Sequence, residues 1–145
     1  VILSGGNEVD SPNRRKIVEE NILDYSIKKN IPVIGVCHGM QFLNYYLGGG
    51  LVNCSGHVNR YINIEGAWAA KQKIKKVNSF HDFGINNSSI SKFFNPLAWS
   101  KDGIIKAFEH KTLPWLGIMW PPEREDPFKT YDLKLFSNHL NNRNI

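Results

Sequence analysis

The five residues Gly35-Val36-Cys37-His38-Gly39 place one thiol at a junction where a strand passes straight into a helix. The run IPVIGV at 31–36 is continuously apolar and β-branched, as in a strand buried on both faces. CHGMQFLNYYLGG follows at once, with Met40, Phe42, Leu43, Tyr46 and Leu47 on a helical stripe and glycines as its stop. With no loop between them, the junction residue occupies a strained elbow. Its side chain stands above the sheet edge, small neighbours such as Gly35 and Gly39 relieve crowding, and the helix directs its first N–H groups and positive dipole end at it. A thiol so placed is favoured as thiolate, the nucleophilic form, which makes Cys37 a candidate for acyl transfer. The N–H of His38 would face a developing oxyanion, and the glycine-rich turn Ser4-Gly5-Gly6 offers a second donor. On this motif alone, an ordinary buried cysteine between two packing glycines stays open.

The elements that must hold this elbow are legible on either side of it. Residues 1–3 read as a strand that ends in the turn SGGNEVDSPN, and RRKIVEENILDYSIKKN reads as a helix with Ile17, Val18, Ile22 and Tyr25 apolar. Between Leu51 and Asn63 the pattern weakens to loop with at most a short strand. KQKIKKVNS alternates as an exposed strand, and FHDFGINNSS reads as a polar loop. LAWSKDGIIKAFEH is a hairpin turning at Lys101-Asp102-Gly103, WLGIMW is a buried strand, and KTYDLKLFSNHLNN is an amphipathic helix carrying Leu133, Leu135, Phe136 and Leu140. Alternating strands and helices argue an α/β fold, a mixed, mostly parallel sheet between helical layers.

The 145 residues suit a single domain, 1–145. With 41% hydrophobic residues and no apolar stretch near the roughly 18 residues of a membrane span, a soluble protein without a membrane partner is expected. The formal charge of +5 is scattered apart from NRRK and KQKIKK, and no aromatic residues interleave with those groups, which argues against a nucleic-acid partner. Two cysteines, Cys37 and Cys54, make a poor disulfide framework, and no Cys or His stands at zinc-ligand spacing around them. A reducing, cytoplasmic setting and no metal are the expectations.

Five blocks, VILSGGNEVD, PVIGVCHGMQFLNYYLGGGL, VNSFHDFGI, AWSKDGIIKAFE and GIMWPPERE, in that order and at those separations, resemble the class I glutamine amidotransferases, closest to their γ-glutamyl hydrolase-like branch. The resemblance implies a flavodoxin-like three-layer sandwich and a Cys-His-Glu triad that forms an acyl-enzyme on the Cys while ammonia or an amine leaves, with no metal or organic cofactor. Cys37 matches the family nucleophile. Gly6 and His38 match the oxyanion donors, Gln41 the side chain at the substrate's glutamyl end, and Ser79, Phe80 and His81 the segment meeting its α-amino and carboxylate groups. His57 falls near a histidine common in this branch and is read as structural or near the pocket rather than chemical, and Cys54 as a bystander. The family pattern also has strands and a helix ahead of ILSGG, so an N-terminally truncated domain is expected.

At one position the chain departs from that pattern. Where the family has Trp or Phe-His-Pro-Glu, this chain has Trp120-Pro121-Pro122-Glu123, so that Pro122 and Glu123 are in register and Pro121 takes the place of the histidine. Proline cannot accept the thiol proton or donate one to a leaving amine. Three explanations stand: a fold that binds γ-glutamyl compounds or a protein partner without the chemistry; an altered residue one nucleotide from a His codon; or another base, His81 or His38. The retained Cys37, Gln41, Glu123 and glycines favour the second, or a recent loss of the chemistry. The implied activity is hydrolysis of a γ-glutamyl amide, with γ-glutamyl-CDP-amidate among the substrates of such enzymes. The alternatives are a binding module or a glutaminase feeding ammonia to a synthetase partner, and self-association is left open.

Overall fold

The computed structural model describes residues 1–6 and 13–141. The turn read at SGGNEVDSPN therefore lies partly outside the described residues. Five strands form the central sheet in the order β1 (Ile2–Leu3), β2 (Val33–Val36), β9 (Trp115–Ile118), β8 (Ile105–His110), β7 (Phe94–Trp99). The β1–β2 and β2–β9 pairings are parallel, and β9–β8 and β8–β7 antiparallel, so the sheet is mixed. Two small ribbons flank it: β3 (Val52–Asn53) with β6 (Phe83–Gly84), and β4 (Val58–Asn63) with β5 (Lys76–Phe80).

Period-2 alternation along the sheet strands divides the core in two. Val33, Trp115, Phe108 and Met119 face one layer with Leu23 of α1 (Arg14–Lys29) and Met40, Phe42 and Leu43 of α2 (His38–Tyr46). Ile34, Val36, Leu116 and Ile118 face the other, with Ala69 of α3 (Ala67–Lys71), Val77 of β5 and Leu135 of α4 (Thr130–Asn141). Helices on both faces of a mixed sheet are the expected sandwich. No described helix is long and apolar enough to cross a membrane, and both described cysteines are free thiols.

Local readings fail where packing overrides pattern. In α1 the apolar residues Ile17, Val18 and Tyr25 are exposed, and the buried positions are Glu19, Leu23 and Ser26. Glu19 tolerates burial because Arg15 Nε donates to it at 2.8 Å, and Ser26 because its hydroxyl donates to the carbonyl of Ile22. In α4 Leu133 is exposed while Asp132 is buried against the indole N–H of Trp120 at 2.8 Å. KQKIKK is not a strand: Lys71 ends α3, Lys73 takes a left-handed turn with φ 59°, and pairing begins only at Lys76. The weakly patterned 51–63 region holds two strands, and six-residue β4 is stabilised by its ladder to β5.

Candidate active site

Because β1, β2 and β9 run parallel, their carboxyl ends share one edge of the sheet, and each is followed by a segment singled out above: Ser4–Gly6, Cys37 and Pro121–Glu123. Open α/β sheets bind their ligands at such an edge. The cysteine sits at φ 51°, ψ −105°, outside the regions favoured by side-chain-bearing residues, and forms the N-cap of α2. Two backbone bonds hold it there: its N–H donates to Ile118 O at 2.8 Å and its carbonyl accepts from Gln41 N at 3.1 Å. Close packing demands the flanking glycines. A methyl group at position 39 would stand 2.1 Å from Leu3 O, and one at position 35 would stand 2.6 Å from Gly39 O.

Burial pushes the Cys37 thiol above its ordinary value, and the Glu123 carboxylate pushes the same way. The His38 N–H and the charges of Lys106 and Arg124 favour the thiolate without overcoming burial. Arg15 anchors the Gly6 segment, donating to Ser4 O at 2.8 Å and Gly5 O at 3.0 Å. Across a trans peptide the Gly6 N–H must point opposite to that Gly5 carbonyl.

Pro121 and Pro122 are buried, and Glu123 lies in a 3₁₀ turn, Pro122–Arg124. A methyl group at Gly5 would stand 3.5 Å from Glu123 Oε1, so the carboxylate lies over the β1 turn. The backbone at 121 is fixed independently of its side chain: Asn78 Nδ2 donates to Pro121 O at 3.1 Å, and Arg124 N donates to it at 3.2 Å. The Arg124 guanidinium lies 4.1 Å from the centre of the half-buried Phe80 ring. Gln41 is buried rather than solvated, its amide donating to Phe83 O at 2.9 Å.

His81 and His38, the substitute bases considered from sequence, are engaged elsewhere. His81 Nδ1 bonds Phe83 O at 2.8 Å, its Nε2 meets Lys106 Nζ at 2.8 Å, and burial lowers its pKa to about 3. The His38 ring stacks on Phe42, with Nε2 3.9 Å from Glu19 Oε2.

The sequence reading missed what surrounds His81. Lys106, 1% exposed, also reaches His57 Nδ1 at 2.9 Å and Ser79 Oγ at 3.1 Å, while His57 Nε2 bonds Asp102 Oδ2 at 2.6 Å. Burial lowers the lysine to about 8. The fold brings potential metal-ligand atoms of Cys54, His57 and His81 within 4.8 Å of one another, a grouping that their spacing in the sequence did not suggest. One signal was present in the sequence: a lysine between Ile105 and Ala107 in an otherwise apolar strand. A cavity of about 480 Å³ lies at the opposite sheet edge, between His110, Pro114, Leu135 and His139.

Comparison with known proteins bears on the family and the fold. The family described as Glutamine amidotransferase class-I matches residues 1–139. The γ-glutamyl-CDP-amidate hydrolase of Campylobacter jejuni is 33% identical over 132 residues, covering 87% of this chain and 62% of that protein. The chain thus spans less than two thirds of that hydrolase's length. The glutamine-hydrolysing GMP synthase of Dictyostelium discoideum is 29% identical over 149 residues, 97% of this chain and 20% of that one. A glutamine amidotransferase structure from Thermotoga maritima superposes with a TM-score of 0.70 at 15% identity, covering 98% of this chain and 64% of that one. A 145-residue chain matched by the family over nearly its whole length, with its strand ends and elbow arranged as described, belongs to the class I glutamine amidotransferases.

Proposed function

We propose that the chain carries the site of a γ-glutamyl amide hydrolase, in which Cys37 forms the acyl-enzyme. The observation that carries this reading is the strained elbow: a thiol at φ 51° on the carboxyl edge, capped by the His38 N–H, with the Ser4–Gly6 turn and Glu123 beside it. The Cys37 sulfur attacks the γ-carbonyl carbon, and the carbonyl π electrons move to oxygen, where the N–H groups of His38 and Gly6 receive them. Collapse of this intermediate breaks the C–N bond, the amine leaves with a proton, and water then cleaves the thioester to release glutamate. The backbone of Ser79–His81 meets the α-amino and carboxylate groups, and Gln41 orders the wall beside them.

Pro121 removes the group that would take the thiol proton and deliver it to the amine, so turnover by this chain is slow. Likeness to the Campylobacter jejuni enzyme supports γ-glutamyl-CDP-amidate as substrate, and the GMP synthase relative supports L-glutamine with a synthetase partner. Pro121 itself, together with a thiol raised by burial, favours a second reading as a binding module for γ-glutamyl compounds. The deciding assay measures glutamate release from a panel including both substrates, for this chain and its Pro121→His, Cys37→Ala and double variants. Release that requires both the Pro121→His change and an intact Cys37 establishes the hydrolase. Equal release with Pro or His at position 121 refutes the assignment of the base, and binding without release by any variant establishes the module.

A further inference from the structure

The antiparallel β7–β8 pairing slips by one residue where Ala98 opposes Ala107 but Trp99 opposes Ile105, leaving Lys106 as the extra residue of a bulge. A bulge re-aims the side chain it carries. Ile105 and Phe108 face the α2 layer and Ala107 the other, while the Lys106 side chain reaches the Ser79–His81 segment. Its ammonium meets three acceptors at 2.8–3.1 Å, His81 Nε2, His57 Nδ1 and Ser79 Oγ, one for each N–H it can donate. This fixes both rings. With Lys106 as donor, His57 carries its proton on Nε2 and gives it to Asp102, and His81 carries its proton on Nδ1 and gives it to Phe83 O. Phe83 O also accepts from Gln41 Nε2 at 2.9 Å. The chain Asp102–His57–Lys106–His81–Phe83–Gln41 thus runs continuously from a turn at the surface to the wall of the candidate site. Cys54, whose Sγ lies 3.4 Å from His81 Nδ1, borders it. A metal at Cys54, His57 and His81 would have to displace a hydrogen bond at each imidazole, since both nitrogens of each ring are engaged, and Lys106 already places a cation in this cluster.

We infer that Lys106 is a positioning residue that holds Ser79, His81 and, through the Phe83 carbonyl, Gln41 in the geometry that receives the glutamyl end of the substrate. The inference rests on the γ-glutamyl reading of the site. It assigns Asp102 and His57 the supporting role of orienting the lysine. Lys106 itself makes no contact with substrate, since its three donors are spent.

The test is calorimetric binding of L-glutamine to the full chain, where Pro121 keeps turnover slow, beside Lys106→Met and Asp102→Ala. Long-range ¹H–¹⁵N imidazole spectra follow the two histidines in each protein. Lys106→Met keeps the aliphatic stem and removes the charge and donors; it is expected to weaken L-glutamine about tenfold or more in protein whose circular dichroism is unchanged. Asp102→Ala, at a half-exposed turn position, is expected to weaken it less and to disturb the His57 tautomer; it decides the matter should Lys106→Met not fold. A role confined to holding the fold would lower the melting temperature and leave the affinity of the folded protein alone. Unchanged affinity in the folded variants, or spectra showing His57 Nδ1–H or His81 Nε2–H, overturns the inference while the site reading survives. No binding of L-glutamine or any γ-glutamyl amide by the unmodified chain overturns both.

Discussion

The side-chain amide of Asn78 holds the backbone carbonyl of Pro121 at 3.1 Å, so the position of residue 121 is set by its main chain and by β5, whatever side chain it bears. Its φ of −90° and ψ of 99° suit any residue. These backbone angles do not bar a histidine from the position. Pro121→His is expected to raise glutamate release by about 10²–10⁴-fold, the range spanned by supplying a missing acid–base group. Steady-state assay of purified protein, with Cys37→Ala in the same background as the blank, checks this.

Glu123 has no imidazole to orient and instead presses on the thiol. Its carboxylate raises Cys37, so Glu123→Gln in the Pro121 protein is expected to increase the thiolate fraction and speed alkylation of Cys37 by iodoacetamide about threefold at pH 8. Peptide-resolved mass spectrometry separates it from buried Cys54. In the Pro121→His background the same change should reduce glutamate release, because the carboxylate then orients the base. Opposite signs in the two backgrounds are the signature expected of an orienting carboxylate.

Gly39 carries the close approach of α2 to β1. A methyl group there would meet Leu3 O at 2.1 Å, and neither strand nor helix backbone can yield without displacing the elbow. Gly39→Ala should therefore destabilise the protein by about 3 kcal/mol or more, an overpacking and strain cost with no offsetting burial. Urea unfolding followed by tryptophan fluorescence measures it.

Asp132 is a buried carboxyl whose pKa burial raises to about 6, against the pull of the Trp120 N–H, and whose Oδ2 has no hydrogen-bond partner. Between its unfolded value of 3.8 and about 6, the folded state keeps a proton that the unfolded chain releases. This group therefore costs stability as pH rises through that window and costs it in full above it. Asp132→Asn keeps an acceptor for Trp120 and removes the buried charge. It should stabilise the fold by about 1–2 kcal/mol at pH 7.5 and make little difference at pH 4, by urea midpoints at the two pH values.

The parts of this protein whose physics is local could be read from the order of residues. The β2–Cys37–α2 elbow, the hairpin turning at Asp102-Gly103 and the apolar β9 run were legible because strand alternation, helical stripes and turn residues act over a few positions. Which face of a helix lies inside was settled by long-range packing instead. Glu19 and Ser26 are buried where Ile17 and Tyr25 are not, because Arg15 and a backbone carbonyl satisfy them. β4 exists through its ladder to β5, a pairing with no local signature. The Lys106 cluster is the extreme case. It joins residues 54, 57, 79, 81, 102 and 106 from four segments, and a one-residue slip of β8 against β7 gives the lysine its direction. A sequence shows that a lysine interrupts an apolar strand, but only the folded chain brings the acceptors that make its burial possible.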